Sequence, residues 1–165
     1  MARRVKIHAP ERLKTSHQLD AFDCGVQSMN HWLKRVARRA DDRTAAVFVI
    51  RAGSRVIGYY ATAMGSVPRV DAGRLGQDTP DPVPVFVLAR LAVDNGFKGR
   101  GLGQDLVADA LKRGLRASRS AGMRAVVVHT LTDDLVKFYE ALGFQALETN
   151  SRTMFIAIET LQNSL

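Results

Sequence analysis

The chain has 165 residues, of which 46% are hydrophobic and 24% charged, a balance typical of a globular domain with one core. Its single cysteine, Cys24, excludes an internal disulfide and a cysteine metal cluster, and its four histidines lack H-x-x-x-H spacing. No apolar run reaches the length of a membrane span, and no signal-peptide core follows Met1. We therefore expect one domain, residues 1–165, located in the cytoplasm and holding no metal.

The net charge of +8 favours an anionic partner, such as nucleic acid, an acidic protein or a phosphorylated ligand, although solubility alone also accounts for it. In chain order, residues 5–7 predict a short strand and residues 26–40 an amphipathic helix. The apolar positions of that helix recur about every 3.6 residues and are Val26, Met29, Leu33, Val36, Ala37 and Ala40. Its opposite side, here called the basic face, carries His31, Lys34, Arg35, Arg38 and Arg39. This face either binds an anion or is simply solvated.

Two apolar runs, at residues 45–51 and 55–62, are joined by a turn that contains Gly53 and predict a β-hairpin. Residues 65–84 then show no periodicity and contain four prolines. A loop of this length inside a compact domain is usually functional or mobile. Because it carries Arg69 and Arg74, we predict that it lines a substrate site; a flexible connector is the alternative.

Residues 83–93 predict a buried strand, which leads into a basic, glycine-rich turn and then, from Gly101, into a helix. A helix N-terminus leaves its first backbone N–H groups unpaired and carries a partial positive charge, so it can bind phosphate. Gly99, Gly101 and Gly103 let the main chain approach an anion, while Lys98 and Arg100 add full charges. The turn therefore predicts a site for a phosphorylated cofactor, unless it is only a tight connection.

The glycine spacing narrows the choice of cofactor. The chain contains no G-x-x-x-x-G-K-[ST] P-loop, and neither Gly99 nor Gly101 begins the dinucleotide pattern G-x-G-x-x-G. What remains is a basic residue followed by x-x-G-x-G at residues 98–103, here called the glycine turn. This pattern resembles the acyl-CoA pyrophosphate loop of the GNAT N-acetyltransferase family, which usually has Gln or Arg at the first position. Lys98 keeps the charge but lacks the guanidinium fork.

The rest of the chain alternates helices and strands. Residues 101–117 predict a helix, 124–129 a buried strand, and 133–142 a helix that is capped by Asp133 or Asp134 and stopped by Gly143. Residues 144–147 and 152–158 predict closing strands. Together these elements predict an α/β fold, in which a mixed sheet with a parallel central strand pair is flanked by helices.

A second motif lies in the last predicted helix, where Phe138, Tyr139, Gly143 and Phe144 form an F-Y-x-x-x-G-F segment. Its spacing alone favours a core position for Tyr139. The segment is also similar to one that follows the second central strand of GNAT enzymes, in the same order after the glycine loop. Together the two motifs imply a GNAT-like fold, a mostly antiparallel sheet whose parallel central strands splay apart.

Four further segments, at residues 22–25, 29–33, 56–61 and 90–94, resemble landmarks of the toxin-type GNATs. Those proteins acetylate the amino group of aminoacyl-tRNA, block translation and pair with a ribbon-helix-helix antitoxin. The resemblance covers residues 19–158 and implies an N-acetyltransferase that uses acetyl-CoA and needs no metal. It leaves open which amino acid or tRNA is acetylated and whether the protein forms a homodimer.

The resemblance also implies roles for individual residues. Leu91, Ala92 and Val93 would bind the pantetheine arm through the main chain, whose N–H groups would polarise the thioester carbonyl. Tyr139 would be the general acid. The residues expected to hold the pyrophosphate are Lys98, Gly99, Arg100, Gly101, Leu102 and Gly103. The cations predicted to bind tRNA are Lys34, Arg35, Arg38, Arg39, Arg69 and Arg74.

Two other functions are open at this point. One is acetylation of a small amine or a protein N-terminus, for which substrate affinity would not depend on salt. The other is a nucleic-acid-binding module without activity, although the chain has no RNA-binding signature with stacking aromatics. His129, at the end of its predicted strand, is a candidate base, whereas Cys24 is expected to be structural.

Overall fold

The computed structural model describes residues 5–164, and in this part of the chain seven strands form one sheet flanked by helices. The strands are β1 Glu11–Arg12, β2 Ala46–Ala52, β3 Arg55–Val67, β4 Val83–Val93, β5 Ala125–His129, β6 Gln145–Leu147 and β7 Asn150–Ala157. The α-helices are α1 Gln27–His31, α2 Ala37–Ala40, α3 Leu102–Ser118, α4 Asp133–Ala141 and α5 Ile158–Ser164. The strand order is β1-β2-β3-β4-β5-β7-β6. Because β4 and β5 pair in parallel and most other neighbours are antiparallel, the predicted fold class is confirmed.

The first of two compact units comprises Met1–Thr62 and Arg90–Asp109. Its β2–β3 hairpin turns at Gly53, whose φ of 60° suits a residue without a side chain. Apolar side chains of the hairpin and of the preceding helical region form its core, which includes Phe22, Leu33, Ala37, Val47, Val49, Val56 and Tyr59. This core fixes the backbone of the helical region that carries the basic face.

The second unit comprises Ala63–Ala89 and Ala110–Leu165. Four of the five residues of β5 are buried, as expected for a strand covered on both faces. The parallel ladder joins residues 85–87 to residues 125–127, and both strands continue beyond it, β5 as far as His129 opposite Thr153 of β7. The core of this unit includes Val67, Leu75, Val83, Val85, Ala125, Val127 and Leu147.

Several predicted boundaries are confirmed and others are wrong. The strand predicted at residues 83–93 is β4, and the predicted helices at 101–117 and 133–142 correspond to α3 and α4. The predicted loop at 65–84 is wrong, because β3 continues to Val67 and two 3₁₀ turns, Arg69–Asp71 and Gly73–Gly76, follow. The predicted strand at 5–7 is reduced to a single bridge between Ile7 and Ala52. The short elements β1 and α5 were not predicted.

The cap of α4 differs from the prediction as well. Thr132, and not Asp133 or Asp134, is the N-cap, since its hydroxyl accepts the Leu135 N–H at 3.2 Å. The two aspartates lie in the first turn, where the helix dipole favours negative charge. At the other end, Gly143 stops the helix with a φ of 98°, as predicted.

The predicted helix at 26–40 begins at Gln27 and is interrupted by a π-helical segment, Trp32–Val36. Val26 precedes the helix and is 52% exposed, which contradicts its predicted place on the apolar face. Leu33, Ala37 and Ala40 are buried as predicted. Short π-helical segments within α-helices are frequent at functional sites. In residues 5–164 no helix is long and apolar enough to cross a membrane.

Candidate active site

Asp94 organises the backbone where β4 ends. Its side chain is 4% exposed and caps the 3₁₀ turn Asn95–Phe97 by accepting the Gly96 N–H at 2.9 Å. It also accepts the Asp23 N–H at 3.0 Å and a guanidinium N–H of Arg55 at 3.2 Å. These donors compensate the buried carboxylate, so the chain leaves β4 in one defined direction.

The glycine turn has the backbone that anion binding requires. Gly99 and Gly101 have φ values of 77° and 80°. The Gly101 carbonyl accepts the Asp105 N–H at 3.1 Å, so the N–H groups of residues 102–104 precede the first hydrogen bond of α3. A Cβ on Gly99 would meet no protein atom within 4 Å. The backbone is therefore open toward an approaching ligand.

Gly103 differs from the other two glycines of the turn. It lies inside α3 and is not among the residues with positive φ. The remaining advantage of glycine at this position is the lack of a side chain at the start of the helix.

The two cations of the glycine turn make different contacts. The Lys98 ammonium donates to the Cys24 carbonyl at 2.8 Å, which ties the turn to the segment that precedes α1. The Arg100 guanidinium lies over the Phe97 ring at 4.9 Å, and that of Arg55 lies over the same ring at 5.8 Å. Sequence reasoning missed Arg55, because only a long-range contact brings this residue of β3 to the turn.

Residues 91–93 form the carboxyl end of β4. Ala92 is buried in the core of the first unit, and Leu91 and Val93 are partly buried. The following Asp94 N–H donates to the Ile57 carbonyl at 2.8 Å, which keeps the main chain extended up to the turn. The parallel ladder to β5 involves residues 85–87 of β4, and an extended main chain beyond such a ladder can bind an extended ligand as an additional strand does.

Tyr139 lies on α4 in the second unit and is 6% exposed. Its ring makes edge contacts with Phe138 and Phe144, at centroid distances of 5.0 and 5.2 Å. Burial raises the pKa of its hydroxyl to about 12. Within residues 5–164 the structure gives this hydroxyl no hydrogen-bond partner, so the ring is fixed while the proton is uncommitted.

The other two candidate groups are His129 and Cys24. His129 is exposed, and its Nδ1 lies 3.1 Å from the Thr153 hydroxyl. It lines a pocket of about 350 Å³ in the second unit, together with Ser66, Val67, Pro68, Asp71 and Leu147. The Cys24 side chain is buried, and its thiol contacts the Val26 carbonyl at 3.6 Å. In residues 5–164 no three His, Cys, Asp or Glu side chains are grouped to hold a metal.

The members of the basic face are not equivalent. Arg38 donates to the carbonyls of Lys14 and His17 at 2.9 and 2.7 Å, so it holds the preceding segment in place. Arg35 and Arg39 are exposed, and Arg39 donates to the Arg35 carbonyl at 3.2 Å. Lys34 is partly buried and lines an open pocket of about 410 Å³ with Asp23, Gly25, Gln27 and Asn30.

Arg69 and Arg74 belong to the second unit and are both exposed. They line an open pocket of about 590 Å³ together with Gly73, Gly76, Gln77 and Glu148. The Arg69 guanidinium donates to the Thr79 carbonyl at 3.4 Å, and the Arg69 N–H donates to the Asp81 carboxylate at 3.0 Å. Both arginines therefore lie on an ordered surface and not on a flexible connector.

Comparison with known proteins decides the family. The model of the acetyltransferase (GNAT) domain matches residues 43–146, which is more than half of the chain. The chain is a GNAT acetyltransferase. Over 144 residues it is 40% identical to the tRNA-acetylating toxin of Mycobacterium tuberculosis, a match that covers 86% of this chain and 87% of that protein.

Solved structures show the same fold as this GNAT acetyltransferase. AtaT complexed with acetyl-methionyl-tRNAfMet has a TM-score of 0.87 at 24% identity, covering 96% of this chain and 99% of that chain. A Tyr-to-Phe variant of AtaT bound to the C-terminus of the antitoxin AtaR has a TM-score of 0.82 at 24% identity, covering 96% and 98%. The matched range of the family model, residues 43–146, includes β4, the glycine turn and α4, so the elements that carry the candidate site belong to the family domain.

Proposed function

We propose that this GNAT acetyltransferase transfers the acetyl group of acetyl-CoA to the α-amino group of aminoacyl-tRNA, and so blocks translation as the toxin of a toxin–antitoxin pair. The observation that carries the proposal is the 40% identity, over 86% of the chain, to a tRNA-acetylating toxin. The net charge of +8 and the exposed arginines of the basic face support a nucleic-acid substrate. We also propose that the protein acts in the cytoplasm. We propose in addition that residues 1–165 form one domain, because β3 and β4 each contribute residues to both units.

The glycine turn fits the pyrophosphate of acetyl-CoA. Its positive-φ glycines and the free N–H groups at the start of α3 favour a bound anion. The pyrophosphate site that we propose consists of Lys98, Gly99, Arg100, Gly101, Leu102 and Gly103. An ammonium group has three N–H donors, so Lys98 can keep its bond to the Cys24 carbonyl and still donate to phosphate.

Residues 91–93 and Tyr139 would perform the chemistry. When bound, acetyl-CoA supplies an activated acetyl thioester. The main chain of Leu91, Ala92 and Val93 would align the pantetheine arm, with N–H groups directed at the carbonyl oxygen, where negative charge develops. Tyr139 would protonate the departing sulfur. Its pKa of about 12 exceeds the value of about 8.5 for a free thiol, so donation to the sulfur depends on the position of the hydroxyl and on its environment.

The attacking amine does not require a strong base. An α-amino group titrates at about 7.7–8.0, and esterification to tRNA lowers that value further, so much of it is neutral at physiological pH. The proton lost when the new amide bond forms can therefore pass to solvent. We assign no proton-accepting role to His129, whose Nδ1 contacts the Thr153 hydroxyl.

The basic face would bind the tRNA backbone, with Arg69 and Arg74 binding further phosphates. Replacing Lys34, Arg35 and Arg39 by Gln together should raise KM for aminoacyl-tRNA without changing acetyl-CoA affinity. Each phosphate that the variant no longer binds should flatten the slope of log affinity against log salt by about one. Arg38 is left in place because it also holds the Lys14 and His17 carbonyls. The measurement is tRNA affinity as a function of salt.

A matched control removes one lysine and two exposed arginines elsewhere. Replacing Lys112, Arg116 and Arg119 by Gln changes the net charge equally but should leave the salt slope close to that of the wild type. Normal acetylation of charged tRNA by the first triple variant would mean that the basic face is only solvated. An equal loss in both variants would mean that net charge, and no particular surface, attracts tRNA.

We further propose that the partner is a ribbon-helix-helix antitoxin encoded by the neighbouring reading frame. A toxin that acetylates aminoacyl-tRNA must be inhibited in the cell that makes it, and an acidic segment would complement the basic face. Purification of the two gene products together should yield a stable complex with suppressed activity. Recovery of the two proteins separately, with unchanged acetyltransferase activity after mixing, would contradict this pairing.

A further inference from the structure

Arg90 immediately precedes the segment of β4 that we assign to pantetheine. Its side chain is partly buried, and its guanidinium lies over the Trp32 indole at 4.9 Å. The Arg90 Nη1 lies 3.5 Å from the Met29 sulfur. These two groups are uncharged, as is the Tyr59 hydroxyl, which also interacts with Arg90, and no carboxylate in the described residues lies within ion-pair distance of Arg90.

Other arginines of the same unit are paired differently. Arg12, Arg51 and Arg55, which lie on β1, β2 and β3, each form an ion pair with a carboxylate. A partly buried guanidinium is normally compensated in this way, because removing a charge from water is costly. A cation–π contact offsets only part of that cost. Within residues 5–164, Arg90 is therefore a partly buried positive charge without a paired carboxylate.

The support beneath Arg90 is rigid. The Trp32 ring stacks on the Tyr59 ring with a centroid distance of 5.9 Å and an interplanar angle of 8°. Tyr59 is fully buried, and its hydroxyl donates to the Met29 carbonyl at 2.9 Å. Trp32 is also the first residue of the π-helical segment. The guanidinium thus lies on a stack of side chains that packs against the core of the first unit.

We propose that Arg90 binds a phosphate of the 3′-terminal nucleotides of the tRNA, an inference that rests on the proposed function. The reacting amine is attached to the terminal ribose, so the neighbouring phosphodiesters are the anions that must approach the acyl group. The planar guanidinium fork suits phosphate oxygens. Arg90 precedes residues 91–93 and the glycine turn follows them. Because the pyrophosphate of acetyl-CoA is assigned to the glycine turn, Arg90 is available for a different anion.

The test uses the trinucleotide cytidylyl-cytidylyl-adenosine, which has the sequence of a tRNA 3′ end but no amino acid. Trp32 is the only tryptophan of the chain, so its fluorescence reports binding beside Arg90. Arg90→Met removes the charge but keeps an apolar side chain on the indole. It should weaken trinucleotide binding about 10- to 100-fold and flatten its salt slope by about one. Arg116→Met, at an exposed position of α3, should bind like the wild type.

Kinetics separate a phosphate contact from a purely structural role. Arg90→Met should raise KM for aminoacyl-tRNA but leave KM for a small aminoacyl ester, which has no phosphate, within about twofold. Equal losses for both substrates, or wild-type trinucleotide affinity, would overturn the inference. If Arg90→Met does not fold, Arg90→Lys decides: it should retain the salt slope while losing affinity, because it keeps the charge without the fork. Unchanged affinity in Arg90→Lys would also overturn it.

The outcome for Arg90 is distinguishable from that of the proposed function. If trinucleotide binding depends on Arg90 but charged tRNA is not acetylated, the nucleotide site at Arg90 is supported and the proposed acetyl acceptor is wrong. If charged tRNA is acetylated but Arg90→Met binds the trinucleotide normally, the proposed function stands and Arg90 has no part in binding it.

Discussion

Replacing Tyr139 by Phe is expected to lower kcat about 10²–10⁴-fold, while acetyl-CoA affinity stays unchanged. The substitution deletes the proton donor but keeps the ring between Phe138 and Phe144. Because the hydroxyl has no hydrogen-bond partner in the described residues, its loss should hardly change thermal stability. Single-turnover kinetics and calorimetric binding measure the two effects separately. A wild-type rate in the Phe variant would mean that Tyr139 is a core aromatic residue and not the proton donor.

The raised pKa of Tyr139 gives this experiment a pH dependence of definite sign. A hydroxyl with a pKa of about 12 is protonated throughout the physiological range, so its ionisation should not reduce the rate between about pH 6 and pH 9. The α-amino group of the substrate titrates within this range. The rate should instead rise with pH as the amine deprotonates, and then level off. A fall in rate within this range that disappears in the Phe variant would show that Tyr139 ionises at a much lower pH.

Replacing Gly101 by Val is expected to abolish acetyl-CoA binding while the protein stays folded. At a φ of 80° a β-branched residue is strained, and the Cβ would point to a space where the nearest protein atom is the Gln104 Oε1 at 3.7 Å. We assign that space to the pyrophosphate. Isothermal titration calorimetry with acetyl-CoA measures the loss, and unchanged affinity in a folded variant would contradict our assignment of the glycine turn.

Gly53→Val is the matched control for this experiment. Gly53 has a φ of 60°, and a Cβ there would meet no protein atom within 4 Å, so the substitution introduces comparable backbone strain in the β2–β3 turn. It should reduce stability but leave acetyl-CoA affinity intact. Equal losses of affinity in the two variants would mean that strain, and not obstruction of the site, explains the effect.

The sequence predicted the elements that carry the site because their local signals agree. The apolar run of β4, the glycine turn and the amphipathic α3 follow one another without a gap, so their boundaries were predicted to within one residue. Tyr139 was predicted both as a core aromatic and as a proton donor, and its buried ring with an uncommitted hydroxyl is compatible with both.

The remaining features depend on contacts between distant parts of the chain. The Lys98–Cys24 bond joins residues separated by 74 positions, and no local pattern indicates it. The π-helical segment at Trp32 shifts the register of a helix that the hydrophobic pattern describes as regular. The structural use of Arg38 likewise depends on the carbonyls of Lys14 and His17, which lie 24 and 21 positions earlier in the chain. Arg90 became a candidate only when its neighbours were known.

Incubation of the purified protein with acetyl-labelled acetyl-CoA and charged bulk tRNA tests the central claim most directly. We expect label in the tRNA fraction that is released by mild alkali as N-acetyl-amino acid, because the ester to the ribose hydrolyses while the new amide survives. Uncharged tRNA should take up no label, and Tyr139→Phe should transfer it about 10²–10⁴-fold more slowly. Label that fails to enter charged tRNA, while a small amine or a protein N-terminus accepts it, would contradict the account.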